Sequence, residues 1–150
     1  MPKPTPDRHA EYFEAILQLR DISDEVLRFV EDEIERNKIP VAKVQEVKNG
    51  HDFYLGNGNL TKNLGKKLQE RFGGEHTVTS SLFSRKDSKA VYRLTVLFRG
   101  IPFIKGDLVE YQGEQYTIKI LGKDMLLQNV KTSKKVHVKY KEMDQIKKTH

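Results

Sequence analysis

The chain has 150 residues, enough for one compact domain or two small ones, and it contains no cysteine. The absence of cysteine excludes disulfides, thiolate nucleophiles and cysteine-based zinc sites. No apolar run approaches the ~20 residues of a membrane-spanning helix, and no basic-then-apolar signal peptide opens the sequence. We therefore expect a cytoplasmic protein that has no membrane partner.

The charge of the chain is unevenly distributed. In total, 27 Lys+Arg against 21 Asp+Glu give a formal net charge of +6. Residues 1–50 hold 8 basic and 11 acidic side chains (net −3), whereas residues 51–150 hold 19 basic and 10 acidic ones (net +9). A polyanion would therefore meet mainly the second part of the chain, although a merely solvated lysine-rich surface has the same composition.

The first elements follow a proline-rich start. Residues 1–10 contain three prolines, which suppress helix and sheet, so we expect a disordered leader. Residues 11–20 alternate apolar and polar side chains and predict a strand. Asp21 or Ser23 then caps a helix with apolar residues at helical spacing. Its opposite face, which we expect to point away from any nucleic acid, is acidic: Glu31, Asp32, Glu33 and Glu35.

A hairpin and a second helix come next. Residues 41–47 and 51–55 predict two strands joined at Asn49-Gly50, a strong signal for a β-hairpin. Residues 60–72 predict a helix that ends at two glycines. Its predicted buried stripe is Leu60, Leu64, Leu68 and Phe72, and its predicted exposed basic face is Lys62, Lys66, Lys67 and Arg71.

Two longer strands, residues 76–84 and 90–99, complete the order β-α-β-β-α-β with an extra strand. This order predicts an α+β fold over residues 11–100, a ferredoxin-like sandwich of the split βαβ type. Short strands at a spacing of roughly 8–12 residues then predict a small all-β barrel over residues 101–145. A basic tail, residues 146–150, is expected to follow. The hairpin formed by the two longer strands could belong to either part.

The sequence contains no recognisable catalytic or metal-binding motif. None of the five histidines stands at a metal-ligand or catalytic spacing, and residues 56–62 lack the spacing of a phosphate-binding P-loop. We therefore expect no catalytic residue, no metal, no cofactor and no small-molecule substrate.

The start of the second helix is a candidate RNA-binding site. Unpaired backbone N–H groups and the positive end of a helix together favour a phosphate, although an ordinary N-cap has the same sequence. The candidate RNA-binding residues of this site are Asn57, Asn59, Thr61, Lys62 and Lys66.

Two basic hairpin tips are the other candidates. One holds Arg85, Lys86 and Lys89, and the other holds Lys131, Lys134 and Lys135. Cations on protruding tips suit contacts with a nucleic-acid backbone, although lysines can equally protect a hairpin from edge-to-edge pairing. Alternation places Tyr92 and Phe98 in the core, which leaves four tyrosines as possible stacking faces for bases: Tyr54, Tyr111, Tyr116 and Tyr140.

Short phrases and segment order also resemble a known family. Residues 12–20 (YFEAILQLR), 50–55 (GHDFYL), 84–93 (SRKDSKAVYR) and 104–109 (IKGDLV) are similar to the archaeal relatives of the large-subunit nuclear-export adaptor, also described as nonsense-mediated-decay proteins. The resemblance covers the central domain and the barrel only. Family members usually begin with zinc modules built from paired C-x-x-C motifs, and none occurs in this sequence.

The resemblance implies a factor that docks on the large ribosomal subunit during maturation or recycling, near the transfer-RNA and exit sites. Its partners would be large-subunit ribosomal RNA and ribosomal proteins, and we expect a monomer. The barrel resembles the first domain of the hypusine-bearing translation factor, but the surroundings of the modified lysine are missing around Lys123. The alternative is a protein-interaction module that uses the acidic helix and makes no direct RNA contact.

Overall fold

The computed structural model describes residues 12–86 and 89–149, with side chains outside residues 83–91. The first half folds into five strands and two helices: β1 (Ala15–Arg20), α1 (Asp24–Arg36), β2 (Val41–Val47), β3 (Gly50–Leu55), α2 (Gly58–Phe72), β4 (Glu75–Lys86) and β5 (Lys89–Arg99). The second half is β6 (Leu108–Tyr111), β7 (Glu114–Leu121), β8 (Met125–Asn129), β9 (Lys135–Val138), a 3₁₀ helix (Tyr140–Gln145) and β10 (Ile146–Lys148). The α+β fold class is confirmed.

The first sheet has the strand order β2-β3-β1-β5-β4. Strand β3 lies antiparallel between β1 and β2, so the β1-α1-β2 unit is the predicted split βαβ. Strand β5 runs parallel to β1 and separates it from β4. The extra strand is thus inserted in the middle of a ferredoxin-like order, and the hairpin of β4 and β5 belongs to this first sheet.

Both helices cover one face of this sheet. Ser23 begins α1 by accepting a hydrogen bond from the N–H of Val26 on its Oγ (3.3 Å). Leu17, Phe53 and Val96 are neighbours across three strands, and all are buried in one core with apolar residues of both helices. In α2, Leu64 and Leu68 are buried, whereas Leu60 is only partly buried. No helix of the described residues is long and apolar enough to span a bilayer.

The hairpin of β4 and β5 extends beyond the rest of the sheet. The pairing of β5 with β1 begins at Leu94, opposite Ala15. The residues of β5 before Leu94 pair with β4, as far as Lys86 opposite Lys89. We call residues 81–86 and 89–93 the arm, because these two paired strand segments project past the helix-covered core.

The second sheet has the order β10-β6-β7-β8-β9 and encloses its own core. Residues 146–150 were expected to be a basic tail, but Ile146–Lys148 pairs antiparallel with β6 as β10. Met143 and Ile146 are buried in the core of this barrel-like part. The lysines in this segment obscured the strand, since only Ile146 of the three residues faces inward.

Tyr140 joins the two parts. Its hydroxyl donates to the carbonyl oxygen of Gly122 (2.6 Å), and burial raises the pKa of Tyr140 to about 12. Gly73 ends α2 with φ of +72°, and a Cβ at Gly73 would lie 2.9 Å from the Tyr140 hydroxyl. Arg99 at the end of β5 also lies 3.9 Å from Asp144 of the 3₁₀ helix. The barrel-like part therefore contacts the end of the first sheet that is opposite the arm.

Candidate nucleic-acid interface

The connection between β8 and β9 is a tight loop closed by one buried side chain. The Oδ1 of Asn129 accepts hydrogen bonds from the N–H groups of Lys131 (2.8 Å) and Thr132 (3.0 Å). The Asn129 backbone also bonds both sides of the loop, through Ser133 N–H to Asn129 O (2.9 Å) and Asn129 N–H to Lys134 O (2.8 Å). An asparagine side chain that bonds the backbone ahead of it is a common way to fix a turn.

This geometry presents three cations on a fixed backbone. We call residues 130–135 the lysine loop, and its Lys131, Lys134 and Lys135 are all exposed. None of the three has an ion-pair partner among the residues that the structure describes. The loop therefore offers three free positive charges to a polyanion without first breaking an internal contact.

The start of α2 also has an asparagine that accepts a backbone hydrogen bond, but a carboxylate of the protein already binds there. Asn57 caps the helix, with its Oδ1 accepting from the N–H of Leu60 (2.9 Å). The N–H of Gly58 donates to Oε1 of Glu14, 44 residues earlier in the chain (2.8 Å). Thr61 is fully buried, and its hydroxyl donates to the Asn57 carbonyl (2.7 Å). Glu14 thus occupies the place proposed for a phosphate, Thr61 is out of reach, and Asn59 stays exposed.

The basic face of α2 is partly used inside the protein. Lys62 and Lys66 are exposed, as predicted. In contrast, Nζ of Lys67 lies 2.8 Å from Oε1 of Glu33 in α1. The guanidinium group of Arg71 lies 5.1 Å from the ring centroid of Phe29. Two of the four cations on this face therefore hold α1 and α2 together.

Glu33 was expected on the exposed acidic face of α1, but it is 3% exposed. It also bonds Arg36 (2.9 Å), and the hydrogen bond from Lys67 holds its pKa below the ordinary value. The solvent-exposed face of α1 therefore carries one carboxylate fewer than the sequence predicted, because the Glu33 side chain pairs with Lys67 of α2.

The tip of the arm lies largely outside the described residues. The backbone of Arg85, Lys86 and Lys89 belongs to β4 and β5, but their side chains and residues 87–88 are not described. Glu75 pairs with Arg99 at the other end of this hairpin, next to the barrel-like part. The arm therefore points away from the barrel-like part.

The lysine loop is at the end of β8 that lies away from the junction with the first sheet. Strand β8 starts beside Gly122, which contacts Tyr140 at the junction, and it runs away from that junction toward Asn129. The two basic tips therefore come from different sheets, the arm from the first and the lysine loop from the second.

Several of the tyrosine assignments are changed by the fold. Tyr92, expected in the core, is 57% exposed because it lies on the arm beyond the helices. Tyr116 and Tyr140, two of the possible stacking faces, are buried in the core of the barrel-like part. Tyr54 and Tyr111 are half-buried. Alternation along a strand identifies a face but not where the covering layer ends.

A ladder of rings and cations, which the sequence did not suggest, crosses the first sheet. Lys43 lies 4.6 Å from the ring centroid of Tyr54, whose ring meets Phe13 edge-on at 4.9 Å. The guanidinium of Arg93 covers Phe13 at 3.7 Å. These side chains come from segments far apart in the sequence, so only the strand register brings them together.

One histidine–carboxylate pair was also missed. Nδ1 of His137 lies 3.0 Å from Oδ1 of Asp124, because the β8–β9 ladder places them at neighbouring positions. Both groups are at least partly open to solvent. Within residues 12–86 and 89–149, no three His, Asp or Glu side chains are grouped so that they could hold a metal ion.

Comparison with known proteins agrees with the fold and with the resemblance seen in the sequence. Residues 12–99, more than half of the chain, match the family model described as "NMD3, second domain". No curated protein matches the chain in a sequence search. The matched region spans β1 to β5 and thus the whole first sheet with both helices. The chain therefore belongs to the NMD3 family, a family of adaptors associated with the large ribosomal subunit and not a known family of enzymes.

Proposed function

We propose that this protein binds ribosomal RNA of the large subunit, during maturation or recycling in the cytoplasm, through basic surfaces on both of its parts. Ribosomal proteins beside that RNA complete the docking site, and the chain binds as a monomer. The observation that carries the proposal is the lysine loop, in which buried Asn129 fixes three exposed lysines that have no ion-pair partner among the described residues.

The binding energy comes mainly from phosphate contacts. Each lysine that neutralises a phosphate releases condensed counterions, which makes the affinity fall steeply with salt. The second contact is made by the arm, whose sequence holds Arg85, Lys86 and Lys89, and exposed Lys62 and Lys66 lie on the same half of the molecule. Contacts from basic tips on both parts fix the orientation of the body on the subunit, so that it occupies sites near the transfer-RNA and exit region.

Co-sedimentation with purified large subunits across a salt series tests this proposal. If about five to six phosphates are contacted, the slope of log K against log[salt] is about −4 to −5. We expect the triple variant Lys131→Ala/Lys134→Ala/Lys135→Ala to flatten this slope by about 1 for each phosphate that is no longer neutralised. Its unfolding free energy should change by less than about 0.5 kcal/mol per site, because these side chains are exposed.

A matched variant controls for net charge. Lys105, Lys141 and Lys147 are exposed lysines of the same barrel-like part that lie outside the loop. Replacing these three with alanine removes the same charge and should leave the slope nearly unchanged. An equal slope for wild type and the loop variant would contradict the proposal and favour a protein-interaction module that uses the exposed acidic side chains of α1.

A further inference from the structure

Two large apolar side chains are exposed side by side on the arm. Tyr92 is 57% exposed and Leu82 is 51% exposed. They are direct partners across β4 and β5, so their side chains lie on the same face of the hairpin. Single exposed apolar residues are ordinary, but a neighbouring pair on a projecting hairpin is a small apolar surface.

The pair is exposed because the helical layer stops just before it. Leu94, Val96 and Phe98 alternate along β5 on the face that the helices cover, and Tyr92 is the next residue on that face. Helix α2 begins at Gly58, where a Cβ would lie 3.3 Å from Leu94. Tyr92 is thus the first residue on this face beyond the start of the helix.

The sequence that connects Leu82 and Tyr92 is basic and indicates the kind of ligand that covers the pair. Between Leu82 and Tyr92 the sequence holds three cations and one carboxylate, in the order Arg85, Lys86, Asp87 and Lys89. An apolar surface inside such a basic segment suits a ligand that joins a flat apolar face to negative charge. A nucleotide has both, because its base offers a π-face and its backbone offers a phosphate.

We propose that Tyr92 stacks on an unpaired base of RNA, with Leu82 supporting the ring from the neighbouring strand. This inference rests on the proposed function and specifies it: the arm binds a single-stranded or looped-out nucleotide, while the lysine loop contacts only phosphates. A duplex offers no free base face, so the arm must meet an RNA loop, bulge or end.

Stacking and phosphate contacts differ in their response to salt. Loss of one base–aromatic stack lowers affinity by about 5- to 150-fold. Tyrosine carries no charge at neutral pH, so this loss should be similar at every salt concentration and leave the salt slope unchanged. Loss of a lysine changes the slope instead.

The test compares Tyr92→Leu with Tyr92→Phe in binding to large subunits and to a short oligoadenylate. We expect Tyr92→Leu, which keeps an apolar side chain but removes the ring, to weaken both by about 5- to 150-fold with an unchanged slope. Tyr92→Phe keeps the ring and should bind like wild type. Ile104→Ala, at a residue 69% exposed outside the arm, is the control for removing an exposed apolar side chain.

A second readout does not depend on the stability of the leucine variant. The chain has six tyrosines and no tryptophan, so oligoadenylate stacked on Tyr92 should quench part of the tyrosine emission. Tyr92→Phe should still bind but show less quenching.

The inference is overturned if Tyr92→Leu binds like wild type, or if Tyr92→Phe loses as much affinity as Tyr92→Leu. A normal salt slope with an unaffected Tyr92→Leu variant would overturn only the stacking, whereas a flat slope in wild type would overturn the proposed function.

Discussion

The start of α2 and the lysine loop are built alike but leave different groups free. In each, an asparagine side chain accepts from the backbone that follows it, Asn57 from one N–H group and Asn129 from two. At the start of α2, the Glu14 carboxylate accepts the hydrogen bond from the Gly58 N–H, and Thr61 is buried. At the loop, no acidic side chain among the described residues pairs with the lysines. Whether such a turn can bind a phosphate is thus decided by residues far away in the sequence.

The largest effect on stability is expected at Asn129. Replacing it with alanine leaves the N–H groups of Lys131 and Thr132 without their acceptor, which costs about 1 to 3 kcal/mol. Urea denaturation measures this decrease in stability. The corresponding change at α2, Asn57→Ala, should cost only about 1 kcal/mol, because a solvent-accessible helix end loses one cap bond. A larger effect of Asn57→Ala than of Asn129→Ala would contradict the view that the loop depends on its buried asparagine.

A somewhat smaller effect on stability is expected from a change at Glu14. Glu14→Ala removes a negative charge and an acceptor from the start of α2, at a cost of about 0.5 to 1 kcal/mol. The same change frees the N–H of Gly58 for an anion. We therefore expect the salt slope of subunit binding to steepen by up to about 1, as one further phosphate is bound. Glu14→Gln keeps an acceptor for the Gly58 N–H and should leave the salt slope unchanged. An unchanged slope in Glu14→Ala would mean that this helix end faces away from RNA.

The ion pair of Lys67 with Glu33 gives a pH-dependent effect. Because the hydrogen bond from Lys67 lowers the pKa of Glu33 below its ordinary value, the folded state binds this proton less tightly than the unfolded state. The stabilisation from this ion pair is complete above the pKa that Glu33 has in the unfolded state. It is lost as the pH falls through the lower pKa of Glu33 in the folded state. Glu33→Gln should reduce stability at neutral pH and have a smaller effect at acidic pH, measured by urea denaturation over a pH series. Glu31→Gln on the exposed side of α1 is the control, and an equal pH dependence in both variants would exclude this role for Glu33.

The smallest changes are expected at Lys62 and Lys66. Both are exposed on α2, so replacing either with alanine should change stability by less than about 0.5 kcal/mol. Each can bind at most one phosphate, which limits the change in salt slope to about 1 per site. Subunit co-sedimentation of the single variants measures this. A slope change larger than that of the lysine-loop triple variant would place the main RNA contact on α2.

Local patterns in the sequence determined the elements and their order. Val26, Val30 and Ile34 recur at helical spacing, and Asn49 at φ of +67° closes the β2–β3 hairpin, so α1 and that hairpin follow from short-range chemistry. The lysine loop could also be located, because it stands between two strands with clear alternation. Strand β10 could not, since three residues with one inward isoleucine carry too little periodicity.

The tertiary structure decided which of these groups remain available. Glu14 reaches the start of α2 because β1 and α2 share one core, and Lys67 is neutralised because α2 packs beside α1. Tyr92 is exposed and Tyr116 buried because the helical layer ends at Leu94, while the barrel-like part closes around its own core. Alternation and charge are properties of neighbouring residues, but burial and pairing depend on what packs across the sheet, and a single sequence does not show where that second layer stops.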